Sequence, residues 1–164
     1  MSLPKLSRSC MGCTACCDGW LQMMIGDAHV HPGCPCPYST GSGCSNYENR
    51  PKDPCINFNC GWVIENSPLP EWMKPNNSKV IVIFNKLQWQ GVAVDLAVPV
   101  GEKIPQESLA WLMQFSAQHY RPLIYMEQQM ENGQFNIKQQ VFGYGPPAFQ
   151  ADLVQWQKEG RKLW

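Results

Sequence analysis

The sequence predicts an α+β fold: a loop-dominated, cysteine-rich front packed on a small, mostly antiparallel sheet with two helices. Three observations lead there. All nine cysteines fall between positions 10 and 60. The chain after position 79 carries strand-like apolar patterns, and two later segments repeat at helical spacing.

The elements follow in order. Residues 1–62 are rich in Cys, Pro, Gly, Asn and Ser, and Pro32-Gly-Cys-Pro-Cys-Pro37 and Ser39-Thr-Gly-Ser-Gly43 are turn-makers that leave little room for long helix or strand. The segments 66–70 and 74–77, with three prolines and three asparagines between them, read as a connector. Lys79–Phe84 reads as a buried strand, and Val92, Val94, Leu96 and Val98 alternate as a second one. Leu109, Leu112, Met113 and Ser116 form one stripe, so a helix is expected over 106–119, entered after Pro105. Residues 123–130 and 134–142 flank Asn132-Gly133, whose tolerance of positive φ marks a hairpin. From about Pro147, residues Phe149, Leu153, Trp156, Gly160 and Leu163 share a helical face. The division expected is a cysteine-rich region at 1–65 and an α+β body at 66–164, the two allowed to form one continuous domain. The glutamines at 128–129 and 139–140 read as solvated hairpin faces.

Thirteen basic residues balance thirteen acidic ones. A neutral surface is a poor footprint for nucleic acid, where phosphate neutralisation supplies much of the binding. The first nine residues lack the apolar stretch of a secretory signal, and nothing approaches the roughly 20 apolar residues that span a bilayer. These features point to a cytoplasmic protein in a reducing compartment, where dense cysteines favour metal over disulfides, and an odd count fits pairing badly.

Cys10, Cys13 and Cys16 are spaced so that one loop can turn successive sulfurs toward a single centre, as in zinc sites and in iron–sulfur proteins. Cys17, next to Cys16, would point elsewhere, toward a second ion or the interior. The later half adds Cys34, Cys36, Cys44, Cys55 and Cys60, with Tyr47, Arg50 and Pro51 between them. Over residues 9–62 this resembles the CxxCxxCC (YkgJ-like) family of zinc- or iron-chelating proteins. Cys10, Cys13, Cys16 and Cys17 match its opening, and Cys36 and Cys44 its middle pair. Tyr47, Arg50, Pro51, Cys55, Phe58 and Cys60 match its closing signature. The gap from Arg50 to Cys55 is one residue longer than in that signature, and Cys34 is additional. The resemblance implies metal chelation by those eight cysteines and does not reach the α+β body.

Eight thiols divide into two four-thiolate zinc sites, or into one iron–sulfur cluster with four other thiols. Zinc in a structural role is the first expectation, because a turn-rich front needs staples. An iron–sulfur redox or sensing protein is the alternative. A third is a thiol enzyme or metal-handling protein acting through Cys34 or Cys17. His29, His31 and Cys34 are candidate additional ligands, the two histidines falling on one side of an extended segment.

Tyr47 and Arg50 are expected to brace the fold, the guanidinium donating to loop carbonyls. Asp18, Glu48 and Asp53 read as surface carboxylates, and His119 as a surface or helix-end residue. Trp20 and Trp62 could seal the cysteine region from solvent. No acid/base couple, phosphate loop or dinucleotide fingerprint is present, so no residue is assigned as catalytic. The partner, protein or small molecule, and the oligomeric state are left open.

Overall fold

The structure is a computed structural model. It describes residue 8 and residues 13–52, 55 and 60–161, with residues 136–138 described by backbone alone. The fold is α+β. Two short strands, β1 (Met23–Ile25) and β2 (Ala28–Val30), form a hairpin in the front. Four longer strands, β3 (Val80–Trp89), β4 (Val92–Pro99), β5 (Leu123–Glu131) and β6 (Gln134–Tyr144), form one sheet in sequential order. β3–β4 and β5–β6 are antiparallel, while β4–β5 is parallel. A parallel pair needs a crossover, and the helix α2 (Gln106–His119) supplies it. A short α1 (Pro75–Ser78) precedes the sheet and α3 (Pro147–Lys158) follows it.

Alternate residues of the strands divide between two cores, one on each face. Ile81, Val94, Leu96, Val98, Ile124 and Met126 pack with Phe149 and Leu153 of α3, and Ala15 of the front joins them. Val80, Val82, Ala97 and Leu123 pack with Leu112 of α2 and with Trp62, Leu69 and Met73. Covering on both faces buries every residue from Val94 to Pro99.

That leaves Asp95 buried at 3% exposure, and three hydrogen bonds answer for it. Arg121 grips its carboxylate through Nη2 at 2.6 Å and Nε at 2.8 Å. The backbone N–H of Asn85 donates to it at 2.8 Å from an irregularity in β3, where Asn85 takes φ +52°. The carboxylate thereby ties β4 to the β3 backbone and to Arg121, which precedes β5. Arg121 is held protonated still more firmly than usual, by its hydrogen bonds to Asp95.

Several expectations need correction. The segment 66–77 is no loose connector: Leu69, Met73 and Pro75 are buried, and a turn of 3-10 helix over Glu71–Met73 leads into α1. Gln128 is no solvated face residue. It is buried, its side chain accepts from Gln139 at 3.2 Å, and its backbone N–H donates to Glu102 at 2.9 Å. The last helix stops at Lys158, and Gly160 at φ +70° turns the chain away; Leu163 lies outside the described residues. The hairpin signal is met, with Asn132 at +53° and Gly133 at +77°. Ala15 and Trp62 of the front belong to the two cores of the sheet.

Removing one partner of a buried ion pair leaves the other charge uncompensated. Asp95→Ala is expected to cost about 3 kcal/mol of stability, the low end of the range because Arg121 reaches solvent on one side. Urea denaturation measures it, and a loss under ~0.5 kcal/mol would contradict this role of Asp95, being no more than an ordinary surface change.

Candidate metal centre

The cysteines are placed by turns rather than by long elements. Residues Cys16–Trp20 form one wide helical turn broken at Gly19, which takes φ +100°. A Cβ there would lie 2.0 Å from the carbonyl oxygen of His31, so only glycine lets the first cysteine loop and the β2 end approach so closely. The N–H of Cys36 donates to the carbonyl of Cys17 at 2.7 Å, which fixes the middle cysteines against the first loop. Ser39 and Cys44 face each other across a tight loop in which Thr40 N–H donates to Gly43 at 2.9 Å.

Asp18 locks this arrangement. Its carboxylate accepts from the Thr14 hydroxyl at 2.8 Å and from the Ser39 hydroxyl at 3.2 Å, bridging the first loop to the Ser39–Cys44 loop. The expectation of a surface carboxylate fails for Asp18, because two hydroxyls twenty-five residues apart in sequence converge on it. Glu48 is exposed, as expected, and Asp53 lies outside the described residues. The Asp18-Gly19 pair, a turn-forming dipeptide, was the signal available in the sequence.

The described thiols fall into two neighbourhoods. In the first, buried Cys36 packs with Ile25 and Val30, and Cys17, Cys55 and Met23 line the same cluster. Burial pushes the Cys55 thiol up, and the charges of Cys17, Cys36 and Cys44 push it further, against a smaller opposing pull from Arg50. Cys44 pairs across its loop with Ser39, whose hydroxyl donates to Asp18 beside Cys17. In the second, Cys13, Cys16 and Cys60 line a cavity of about 20 Å³ with Ala15, Trp62, Lys74 and Ile81. Cys10 lies outside the described residues.

The two neighbourhoods touch at Cys16 and Cys17, whose sulfurs are 3.9 Å apart. Cys16 donates to Cys17 and draws its pKa down to about 7, outweighing burial and the nearby Asp18 carboxylate. None of the eight described cysteines is in a disulfide. Among the described residues, no three His, Cys, Asp or Glu side chains are gathered as a ready set of ligands to one ion. The thiols share neighbourhoods without converging on a point.

The remaining candidates fall outside both groups. Val30 faces the first thiol neighbourhood, and its strand neighbour His29 is exposed. The His29 and His31 rings lie 5.1 Å apart between centroids, on the side away from Val30. Cys34 is exposed. Arg50 Nη1 donates to the Tyr47 carbonyl at 2.8 Å and its guanidinium lies 3.9 Å from the Tyr47 ring centre, a local contact within one turn. Pro51 follows in the same turn, and Phe58 lies outside the described residues. His119 ends α2 and is exposed.

Trp62, 5% exposed, covers the second cavity and donates through Nε1 to the Pro70 and Glu71 carbonyls, both at 3.2 Å. Trp20 packs edge-on against Phe135 of β6. Sequence reasoning missed Arg8, which donates to the Trp62 carbonyl at 3.0 Å and to Glu71 at 3.2 Å, and Lys74, which lines the cavity. Neither carries a motif that would single it out. A larger concavity of about 440 Å³ lies elsewhere on the body, lined by Trp89, Tyr120, Arg121, Pro122 and Tyr144 among others, and contains no cysteine.

The two shifted thiols generate a pH test on the reduced, metal-free chain. A thiol reacts as thiolate, and a lowered pKa puts more of it in that form at a given pH. Iodoacetamide labelling of Cys17 is expected to rise through a midpoint of about pH 7. Cys55, shifted the opposite way, should label only at clearly more alkaline pH. Peptide mass spectrometry reads both, and one common profile would contradict the assignment. No helix among the described residues is long and apolar enough to cross a membrane. No family model, curated protein or solved structure matches the chain.

Proposed function

We propose that this chain is a metal-chelating protein that holds zinc in two thiolate groups and uses it to fix its own front. Cys17, Cys36, Cys44 and Cys55 form one group. Cys13, Cys16 and Cys60 form the other, with Cys10 as its fourth donor by count. The observation that carries this reading is the division of the described thiols into two neighbourhoods, one under Ile25 and Val30 and one under Trp62.

The donor chemistry fits. Zinc binds four thiolates in closed structural sites, and thiolates pressed together raise one another's pKa until a cation relieves them. The apolar cover of Met23, Ile25, Val30 and Trp62 would keep water from such bonds. Energetics points the same way. Two buried aliphatic side chains in the front's own cluster, Ile25 and Val30, stabilise it by about 1.5–3 kcal/mol each. A structural zinc in a small peptide contributes roughly 10–16 kcal/mol at neutral pH, which is large enough to decide whether the front folds.

An iron–sulfur protein with a redox or sensing role is the second reading, favoured by the Cys10-x2-Cys13-x2-Cys16 spacing. Reduced thiolates of this density suit the cytoplasm. The α+β body would then serve as the surface for a protein or small-molecule partner.

Serine substitutions test the division, with zinc counted per chain in protein purified under reducing conditions. Cys13→Ser, Cys16→Ser and Cys60→Ser should each lose the same single equivalent, and Cys36→Ser, Cys44→Ser and Cys55→Ser the other. Two substitutions within a group should cost no more metal than one, while one from each group should lose both. Wild-type protein without bound metal, or losses that ignore the grouping, would overturn the proposal.

A further inference from the structure

His29, His31 and Cys34 remain unused by either thiol group, and the backbone places them on one face. β2 sends Val30 inward, fully buried against Cys36, which leaves His29 and His31 on the opposite side. Pro32-Gly33 then reverses the chain, Gly33 taking φ +89° as a turn with proline before it requires. His31 and Cys34 exchange both backbone hydrogen bonds across that turn, His31 N–H to Cys34 at 3.1 Å and Cys34 N–H to His31 at 2.8 Å. Residues opposed in this way carry their Cβ atoms on the same side, roughly 5 Å apart. Cys34 therefore rises beside His31, and His29 flanks it with ring centres 5.1 Å away.

His31 is also oriented as a ligand would be. Its Nδ1 lies 3.0 Å from the Pro32 carbonyl oxygen. A carbonyl can only accept, so in this contact Nδ1 carries the proton and the neutral ring keeps its lone pair on Nε2. Such a contact is the usual outer support of a metal-bound imidazole.

We propose that His29 and His31, with Cys34 as a third donor, form a separate surface site for a divalent metal ion that imidazole and thiolate suit, zinc among them. The three side chains do not converge on one point in the free protein. Cys34 is exposed and can change between staggered rotamers to close on the ion. An ion captured there sits on the outer face of the strand whose inner residue, Val30, covers Cys17 and Cys36. The site does not depend on the metal-chelating reading.

The test titrates full-length protein with zinc chloride alone, after any tightly held metal has been counted, and follows the histidine ring signals by NMR. The His29 and His31 signals should shift together and saturate at one added equivalent, while His119 stays still. His29→Ala, a change at an exposed position, should weaken this binding about tenfold or more, and Cys34→Ser should weaken it measurably. Ring signals that do not move at millimolar zinc, or binding indifferent to His29→Ala, would overturn the site. Binding unchanged in Cys34→Ser would overturn the three-donor set. If the protein holds no tight metal yet the two rings still titrate together, the surface site stands and the thiolate proposal falls; the reverse result separates them the other way.

Discussion

The cysteine front depends on how closely the Cys60–Gly61 step approaches the edge of the sheet. The Gly61 N–H donates to the Val82 carbonyl at 2.6 Å, and a Cβ at residue 61 would lie 2.7 Å from that same oxygen and 2.9 Å from the Phe84 ring. No side chain fits there, so the backbone itself becomes the contact. This fixes Cys60 at the margin where both cores of the sheet meet. Ala15, buried at 4% exposure on one face, fixes the first cysteine loop to the same sheet. Two segments some forty-five residues apart are thereby held side by side. The sheet supplies the rigid floor on which thiols from distant parts of the sequence share a neighbourhood.

The rest of the front is tied to that floor by polar contacts. Asp18 accepts from Thr14 and Ser39, Cys36 donates to Cys17, and Arg8 reaches both Trp62 and Glu71. Such contacts exchange hydrogen bonds to water for hydrogen bonds within the protein, each at a net gain of about 1 kcal/mol. They set direction more than strength. A chain segment with three buried members in its own apolar cluster needs a stronger bond to become a single structure. The proposed thiolate–metal bonds supply that strength, and Asp18, Gly19 and Gly61 determine which thiols meet.

The body was legible in the sequence because its signals are local. Asn132-Gly133 fixed the hairpin, Pro105 and the Leu109–Ser116 stripe fixed α2, and the apolar run before Phe84 fixed β3. Where the reading failed, distant partners had decided. Gln128 is buried because Gln139 and the Glu102 carbonyl meet it. The parallel step between β4 and β5 has no local signature either; it follows from a helix lying between them. In the front, turn residues announced loops but not which thiols those loops would group. Cys16 and Cys17 line different apolar clusters, yet their sulfurs stay 3.9 Å apart. The histidines were legible as a same-side pair, whereas their separation from the thiols required seeing Val30 buried between them.

The central claim is that two thiolate groups hold zinc and thereby fix the front. X-ray absorption on protein purified under reducing conditions without oxygen addresses it most directly, because it identifies the metal and its neighbours together. The expected result is a colourless protein whose zinc edge shows a shell of four sulfurs at about 2.3 Å. An iron edge with short iron–iron distances, or a chain that carries no metal in its folded state, would contradict the account.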